Sequence, residues 1–405
     1  MRIAVFCGKF PAYPETFIIE EVCSLIDSGN EVHIYASERG IPNFKNDKYE
    51  KYQLSNRTKY LNRTQSNSLL RKLNHILLWL KNLEKLPYFL KRVGYKKLFG
   101  NIYLYLPFYE IKDFDIIHCH FASKGNLALE LRKNRIISGR IVTVFHGSGL
   151  VILNSKKGVY PDLIKEGDLF IANSIFTSKV AVSKGYPENK IFRLPAPFNI
   201  EKFQRSQPRS YPKEKIVILS VGRLIPFKGF IYGVKAIRKL IDDGYTNIEY
   251  RIIGEGPMRE VIENEIKKFS LESYVTLLGQ QVSEIVKNEL DGADLFIMPG
   301  IIDENGRAEA QGVVIQEAQA MQLPVIASNV GGMEEGVKDG ETGFLVAQKD
   351  IGELADRISW FLKNQDKLKK FGEKGRDYVL ERFDPRKSTD KLIEKYIEIL
   401  DKADC

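Results

Sequence analysis

Cysteine is scarce in this chain of 405 residues, and Cys7, Cys23, Cys119 and Cys405 show no paired spacing. That excludes a disulfide framework or a zinc cluster of the C-x-x-C kind, and leaves reduced thiols that fill space. Long apolar runs are missing as well. The stretch after Met1-Arg2 reaches only Cys7 before Lys9 interrupts it. Ile76 to Leu80 falls far short of the roughly 20 apolar residues that span a bilayer. Neither a secretory leader nor a spanning helix is expected, and the chain reads as cytoplasmic. Acid is nearly absent from one window. Residues 51 to 100 carry twelve Lys or Arg against the single acid Glu84, while the whole chain has a formal charge of only +9. The basic excess is therefore local.

The rest is an ordinary folded composition, 43% hydrophobic and 28% charged, in a chain longer than one core supports. Two domains of about 200 residues each are predicted. Short apolar runs alternate with helical patterns in both halves: Arg2 to Cys7, Glu31 to Ala36, Asp115 to His120, Arg140 to Phe145 and Asp168 to Ala172 in the first, with a helix over Thr16 to Asp27. The second half repeats the rhythm at Ile216 to Val221, Ile248 to Ile253, Tyr274 to Leu278, Asp294 to Met298 and Pro324 to Ala327. Strand, helix, strand means a parallel sheet covered by helices. The prediction is an α/β protein of two Rossmann-like doubly wound domains, residues 1–203 and 213–382, facing across a cleft. The Pro-rich, polar stretch from Leu194 to Pro212 is expected to be an exposed linker. Ligands of such sheets bind beyond the carboxyl ends of the strands, so those ends are where chemistry is expected.

Seven residues separate Glu309 from Glu317, with Gly312 between them and a helix-forming run from Val313 to Met321. The free amides of a helix start suit a diphosphate, and a carboxylate on either side can accept sugar hydroxyls. Two glutamates eight apart occur by chance, so context decides. Ser220-Val-Gly-Arg-Leu-Ile-Pro-Phe-Lys-Gly229 follows a strand in the same half and sets Arg223 and Lys228 after a glycine turn. Two cations there can meet a doubly charged leaving group. Gly254-Glu-Gly-Pro257, Gly279-Gln-Gln-Val282 and Val330-Gly-Gly-Met333 add three more strand-end motifs.

With these motifs the second half resembles the retaining glycosyltransferases of family 4, which have the GT-B fold. The resemblance extends into the first half through Thr143-Val-Phe-His-Gly147, Ile171-Ala-Asn-Ser174 and Pro11-Ala-Tyr-Pro-Glu-Thr-Phe17, the last similar to a branch that builds bacterial exopolysaccharides. It implies that Arg223 and Lys228 neutralise the departing diphosphate, that Glu309 holds hexose hydroxyls and Glu317 ribose hydroxyls, and that His146 contacts the donor sugar from the opposite domain. Gly312 and Val313 would meet the diphosphate; Gly254, Glu255 and Gly256 would let the backbone approach the nucleotide, with the base near Gln280 and Val282. Thr16, His120 and Asn173 would face the acceptor, and a last helix, about 383–400, would cross back to the first domain. The implied partners are a UDP- or GDP-linked sugar and a lipid-linked or oligosaccharide acceptor, with no cofactor. Two departures from the family pattern, Gly149 in place of an acid and Ala310 in place of a glycine, bear on the acceptor side.

Asp113-Phe-Asp115 imitates a metal-binding Asp-x-Asp, but it opens a strand at the wrong end of the sheet and reads as structural. His118 and His120 alternate on one strand face with no third ligand evident, so no metal is expected. The basic window interleaves Lys and Arg with Leu, Trp, Phe and Tyr. Leu69, Leu73, Ile76, Leu77 and Leu80 form a stripe flanked by Arg71, Lys72 and Lys81. With Lys85, Lys91 and Arg92, this suits docking to the anionic inner face of the plasma membrane, where each basic residue is worth about 1 kcal/mol. The plain alternative is a solvated face over a core helix. Nucleic acid is not expected, since no binding module accompanies the charge. A nucleotide-sugar epimerase and a non-catalytic scaffold that binds sugar nucleotides remain competing readings.

Overall fold

The computed structural model describes residues 1–12, 15–42, 44–61, 77–147, 150 and 159–402. The first sheet comprises β1 Arg2–Phe10, β2 Glu31–Arg39, β3 Thr58–Tyr60, β4 Asp113–His120, β5 Ser138–Phe145, β6 Leu169–Ala172 and β7 Ile191–Arg193. They lie in the order β3-β2-β1-β4-β5-β6-β7, every neighbour parallel. The second comprises β8 Ile216–Val221, β9 Ile248–Ile253, β10 Val275–Gly279, β11 Leu295–Met298, β12 Val325–Ser328 and β13 Gly343–Val346, in the order β10-β9-β8-β11-β12-β13, again all parallel. The two doubly wound sheets expected from the apolar rhythm are present. The edge strands β3 and β7 have three residues each, too short to leave a periodic signal.

Parallel strands buried on both faces read as continuous apolar runs, and β11 and β12 are buried at every position. The helices that matter for the site are α1 Thr16–Asp27, α2 Asp47–Lys51, α3 Leu86–Tyr105, α4 Ala122–Lys133, α5 Pro161–Glu166 and α6 Ile175–Ser183 in the first half. The second half has α7 Phe230–Asp242, α8 Arg259–Lys268, α9 Ser283–Gly292, α10 Val313–Ala320, α11 Ile351–Lys363 and α12 Gln365–Arg382. The final helix, α13 Pro385–Asp401, begins where the Asp384 side chain accepts the Arg386 amide at 2.9 Å. Its Leu392 and Tyr396 are buried among Ile18, Ile19 and other core residues of the first domain.

Strand order reverses between β1 and β4 and again between β8 and β11, and such switch points open a crevice at the carboxyl ends. The stretch joining the domains is exposed only in its second part, where Gln204, Ser206, Gln207, Pro208 and Ser210 face solvent. Leu194 is buried in the first core, and Phe198, Ile200 and Phe203 in the second. Alternate apolar residues from 194 to 200 draw the backbone inward. Arg209, also buried, donates to the carbonyls of Leu290 and Met321 at 3.1 and 3.3 Å.

Candidate active site

A cavity of about 700 Å³ lies between the two domains. Thr16, Phe17, His146 and Asn173 line it from the first domain; Arg223, Lys228, Glu309, Gly312, Val313 and Glu317 line it from the second. Nine of the fifteen residues predicted for catalysis, donor and acceptor thus meet in one place.

The turn carrying Arg223 is held from behind. Leu224 donates its amide to Glu255 O at 2.9 Å and its carbonyl accepts Met258 N at 2.9 Å. A Cβ on Gly254 would stand 1.8 Å from Gly222 O, and one on Gly256 would stand 2.5 Å from Leu224 O. These glycines are required by the close approach of two backbone turns, independently of any nucleotide. Glu255 is ion-paired with Arg259 outside the cavity lining. Arg223 is exposed and makes no ion pair among the described residues. Lys228 is ion-paired with Glu309, Nζ to Oε2 at 2.5 Å.

Glu309 sits in a loop braced by the Val330-Gly-Gly-Met333 turn. Gly332 N donates to Glu309 O at 2.8 Å, and a Cβ on Gly332 would lie 1.8 Å from Ala310 O. Burial on its own would raise the Glu309 carboxyl. The Lys228 ammonium and the amides of Ala310 and Gly312 outweigh that and hold it below the ordinary value. Gly312 adopts the left-handed conformation, φ 77°, as the cap of α10, a position that favours glycine. One turn into the helix, burial pushes the Glu317 carboxyl up to about 7 against the opposing pull of Lys202 and Lys228. The pair therefore holds two carboxyls of different character on either side of a helix start.

On the other wall, β5 ends at Phe145 and delivers His146. Its ring lies 4.4 Å from the Phe17 centroid, and its Nε2 is 2.8 Å from His120 Nδ1. Burial drives the His146 pKa down to about 4, so the ring is neutral at pH 7. Phe121, at a strained φ of 78°, follows β4, and its ring centroid lies 5.3 Å from that of His146. His120 itself lies behind His146 rather than on the cavity wall. The third partner that the spacing of His118 and His120 lacked is Glu21 of α1. Glu21 Oε1 stands 2.7 Å from His118 Nε2 and 3.8 Å from His120 Nε2, all three side chains buried. Among the described residues this is the one group of three side chains arranged as a metal could require.

Asn173 and Ser174 are a helix cap: Ser174 Oγ accepts Thr177 N at 3.0 Å, and Thr177 Oγ1 donates to Asn173 Oδ1 at 2.8 Å. The second domain reaches across at this point, where Glu335 Oε1 accepts the amide of Ile175 at 2.5 Å. Gln311 likewise ties the joining segment to α10, bonding both the amide and the carbonyl of Ala196. Sequence reading missed Gln311, Glu335, Lys202 and the wall formed by Glu20 and Lys45 to Lys48. Gln311 lies inside the Glu309 to Glu317 motif and Glu335 two residues past the Val330-Gly-Gly-Met333 turn, so both were open to notice.

Gly254, Glu255, Gly256, Gln280 and Val282 are not on the cavity wall; the neighbouring Ser283 and Glu284 are. Asp113 and Asp115 open β4, where Asp115 Oδ2 accepts Arg2 N at 2.6 Å, at the end opposite the cleft. In the basic window Arg92 is committed inward: it lies 3.6 Å from the Tyr88 ring and donates to Arg135 O at 3.1 Å. Lys85 lies over the Tyr109 ring, whereas Lys81 and Lys91 are exposed. Leu69, Leu73, Ile76, Arg71, Lys72 and Gly149 lie outside the described residues.

The family model of glycosyl transferases group 1 matches residues 201–378. The glycosyltransferase of amylovoran biosynthesis, AmsK of Erwinia amylovora, is 31% identical over 369 residues, covering 88% of this chain and 89% of its own. The chain belongs to the group 1 glycosyl transferases. WcaL of Escherichia coli strain K12, a glycosyltransferase assigned to colanic acid biosynthesis, is 29% identical over 94% of this chain and 95% of its own. Among solved structures, Anabaena Alr3699/HepE in complex with UDP and glucose superposes with a TM-score of 0.70, at 16% identity over 97% of this chain and 98% of its own. The fold of this group 1 transferase is GT-B, two parallel-sheet domains about one cleft.

Proposed function

We propose that this glycosyltransferase moves a hexose from a UDP- or GDP-linked sugar to a lipid-linked glycan acceptor in the building of a surface polysaccharide, with retention and without a metal ion. The observation that carries the reading is the juxtaposition of the unpaired Arg223, the Lys228–Glu309 pair and the open start of α10 on one wall of the cleft. Glycosyl transfer makes an oxocarbenium-like centre while charge accumulates on the leaving phosphate, and preorganised cations and amides act where that charge develops. Arg223 and Lys228 neutralise the diphosphate. Glu309 then takes hexose hydroxyls, Glu317 the ribose, and neutral His146 approaches the sugar from the first domain. The acceptor attacks on the face the diphosphate leaves, and a phosphate oxygen takes its proton. The likeness to AmsK and WcaL supports the polysaccharide assignment, and the likeness to HepE, solved with UDP and glucose, supports the donor class.

The acceptor's lipid places the work at the inner face of the plasma membrane. Leu77, Leu80 and Leu83 are 50 to 59% exposed beside Lys81, and Lys91 is exposed one element on. Peripheral attachment through these side chains is the form proposed; no described helix is long and apolar enough to cross a membrane.

A panel of UDP- and GDP-sugars assayed with a lipid-linked acceptor, with products read by NMR, tests the reading. Transfer that survives EDTA and is lost in Arg223→Ala and Glu309→Ala is expected. Full activity in both variants would remove the assigned roles, and donor epimerised without acceptor would replace the reading by its main competitor.

A further inference from the structure

Behind His146 runs a buried row of side chains drawn from three elements: Glu21 of α1, His118 and His120 of β4, and Tyr396 of α13. Glu21 Oε1, His118 Nε2 and His120 Nε2 are fully buried and have no conventional hydrogen-bond partner, so they answer only to one another. The outer ends of the row are set. His118 Nδ1 is 2.5 Å from Tyr396 Oη, and His120 Nδ1 is 2.8 Å from His146 Nε2.

We propose that Glu21 is a positioning residue that, through His118 and His120, fixes the tautomer of His146 so that its Nδ1 is a bare acceptor toward the cleft. A carboxylate only accepts, and a neutral imidazole carries one N–H and one lone pair. At 2.7 Å a lone pair on His118 Nε2 would face those of the carboxylate, so that nitrogen carries the N–H, in a contact too bent to be a hydrogen bond. His118 is left with a lone pair on Nδ1, which is what the hydroxyl of Tyr396 needs in order to donate. His120, 3.8 Å from the carboxylate, is oriented by its charge, and it too keeps a lone pair on Nδ1. His146 must then donate from Nε2. Burial keeps both His120 and His146 neutral, so the single proton of His146 is used inward. The nitrogen left for the cleft accepts a hydrogen bond, and the group it receives is a sugar hydroxyl and not a phosphate oxygen. The inference rests on the transferase reading for what occupies the cleft, but the tautomer does not.

A divalent ion among the same three atoms is the other arrangement they could serve. Ligand atoms of a tetrahedral zinc are about 3.3 Å apart for bonds of about 2.0–2.1 Å. Glu21 Oε1 and His118 Nε2 stand instead 2.7 Å apart, too close for two ligand atoms of one such ion.

The test is long-range proton–nitrogen NMR on the full chain labelled with nitrogen-15 histidine, without donor, His146 being assigned by loss of its signals in His146→Ala. The expected wild-type spectrum shows protonated Nε2 and bare Nδ1 on His118, His120 and His146. In Glu21→Gln the side-chain amide can donate, and the His120 and His146 tautomers become mixed. With that change kcat falls about tenfold, the effect of one misdirected hydrogen bond, while donor KM stays within about twofold. Tyr396→Phe, which leaves the carboxylate in place, keeps the His146 tautomer. A wild-type His146 protonated at Nδ1 would overturn the proposal without any variant. So would unchanged tautomers in Glu21→Gln, or one equivalent of divalent metal in the purified protein that is lost in His118→Ala. If the tautomers are as stated but no nucleotide sugar is turned over, the transferase reading fails and the positioning role stands.

Discussion

Lys228→Met keeps most of the length of the side chain and strips its charge, leaving Glu309 against a wall that was built around a pair. The lysine and glutamate side chains are only 12% and 17% exposed. Breaking a fully buried pair by removing one partner costs about 3–5 kcal/mol; here water in the cleft reduces that to about 1–2 kcal/mol. The pH dependence gives the sign. In the wild type the carboxyl is held below its ordinary 4.5, so its contribution is present above that value and is lost as pH falls through the lower folded one. Without the ammonium, the amides of Ala310 and Gly312 oppose burial with less help and the carboxyl rises, so Lys228→Met should be worst near pH 8 and recover towards pH 4. Lys228→Met with Glu309→Gln removes both charges and should be less destabilised than the sum of the singles by about 1 kcal/mol. Urea unfolding followed by Trp360 in the second domain measures all four proteins, and a transfer assay should find Lys228→Met lower in kcat by about 100-fold or more. Additive stabilities with a pH-independent loss would refute the argument that the two groups hold each other.

The raised carboxyl of Glu317 predicts the opposite sign. Its folded value, about 7, lies above the ordinary 4.5, so ionising it opposes folding above pH 7 and the penalty fades as pH falls to 4.5. Glu317→Gln should therefore gain about 1–2 kcal/mol at pH 8 and nothing near pH 4.5 in chemical unfolding, while donor KM rises about tenfold. Gly332→Ala drives a Cβ to within 1.8 Å of Ala310 O and should cost about 1–3 kcal/mol in a thermal melt, with a larger loss of transfer because Glu309 moves with its neighbour. For the proposed membrane face, Leu80→Glu with Lys81→Glu should abolish sedimentation with anionic vesicles, whereas Arg92→Gln should weaken the fold more than the binding, since Arg92 is turned inward.

The sheets were legible because apolar runs of four to six residues alternate with helical patterns, and β8 and β9 occupy the predicted spans Ile216 to Val221 and Ile248 to Ile253. The wall of Arg223, Lys228, Glu309 and Glu317 was legible because each follows a strand or opens a helix in one half of the chain. What stayed hidden depends on chain segments that meet only after folding. Glu21 reaches His118 across nearly a hundred residues, and nothing in α1 marks it apart from the adjacent Glu20. The glycines at 254 and 256 read as nucleotide contacts, while their neighbours are the carbonyls of Gly222 and Leu224. The prolines at 195 and 197 suggested exposure, yet the apolar residues that alternate with them decide the outcome.

Calorimetric titration of UDP and of GDP into the wild type and into Arg223→Ala tests the central claim most directly, because it needs neither acceptor nor sugar. Arg223 is exposed, so its removal leaves the fold unburdened. One of the two nucleotides should bind, and Arg223→Ala should bind it about 10-fold to 100-fold more weakly, the loss of a charge-assisted contact to phosphate. Binding of neither nucleotide, or equal binding by the variant, would contradict the account of the cleft as a site for a nucleoside diphosphate.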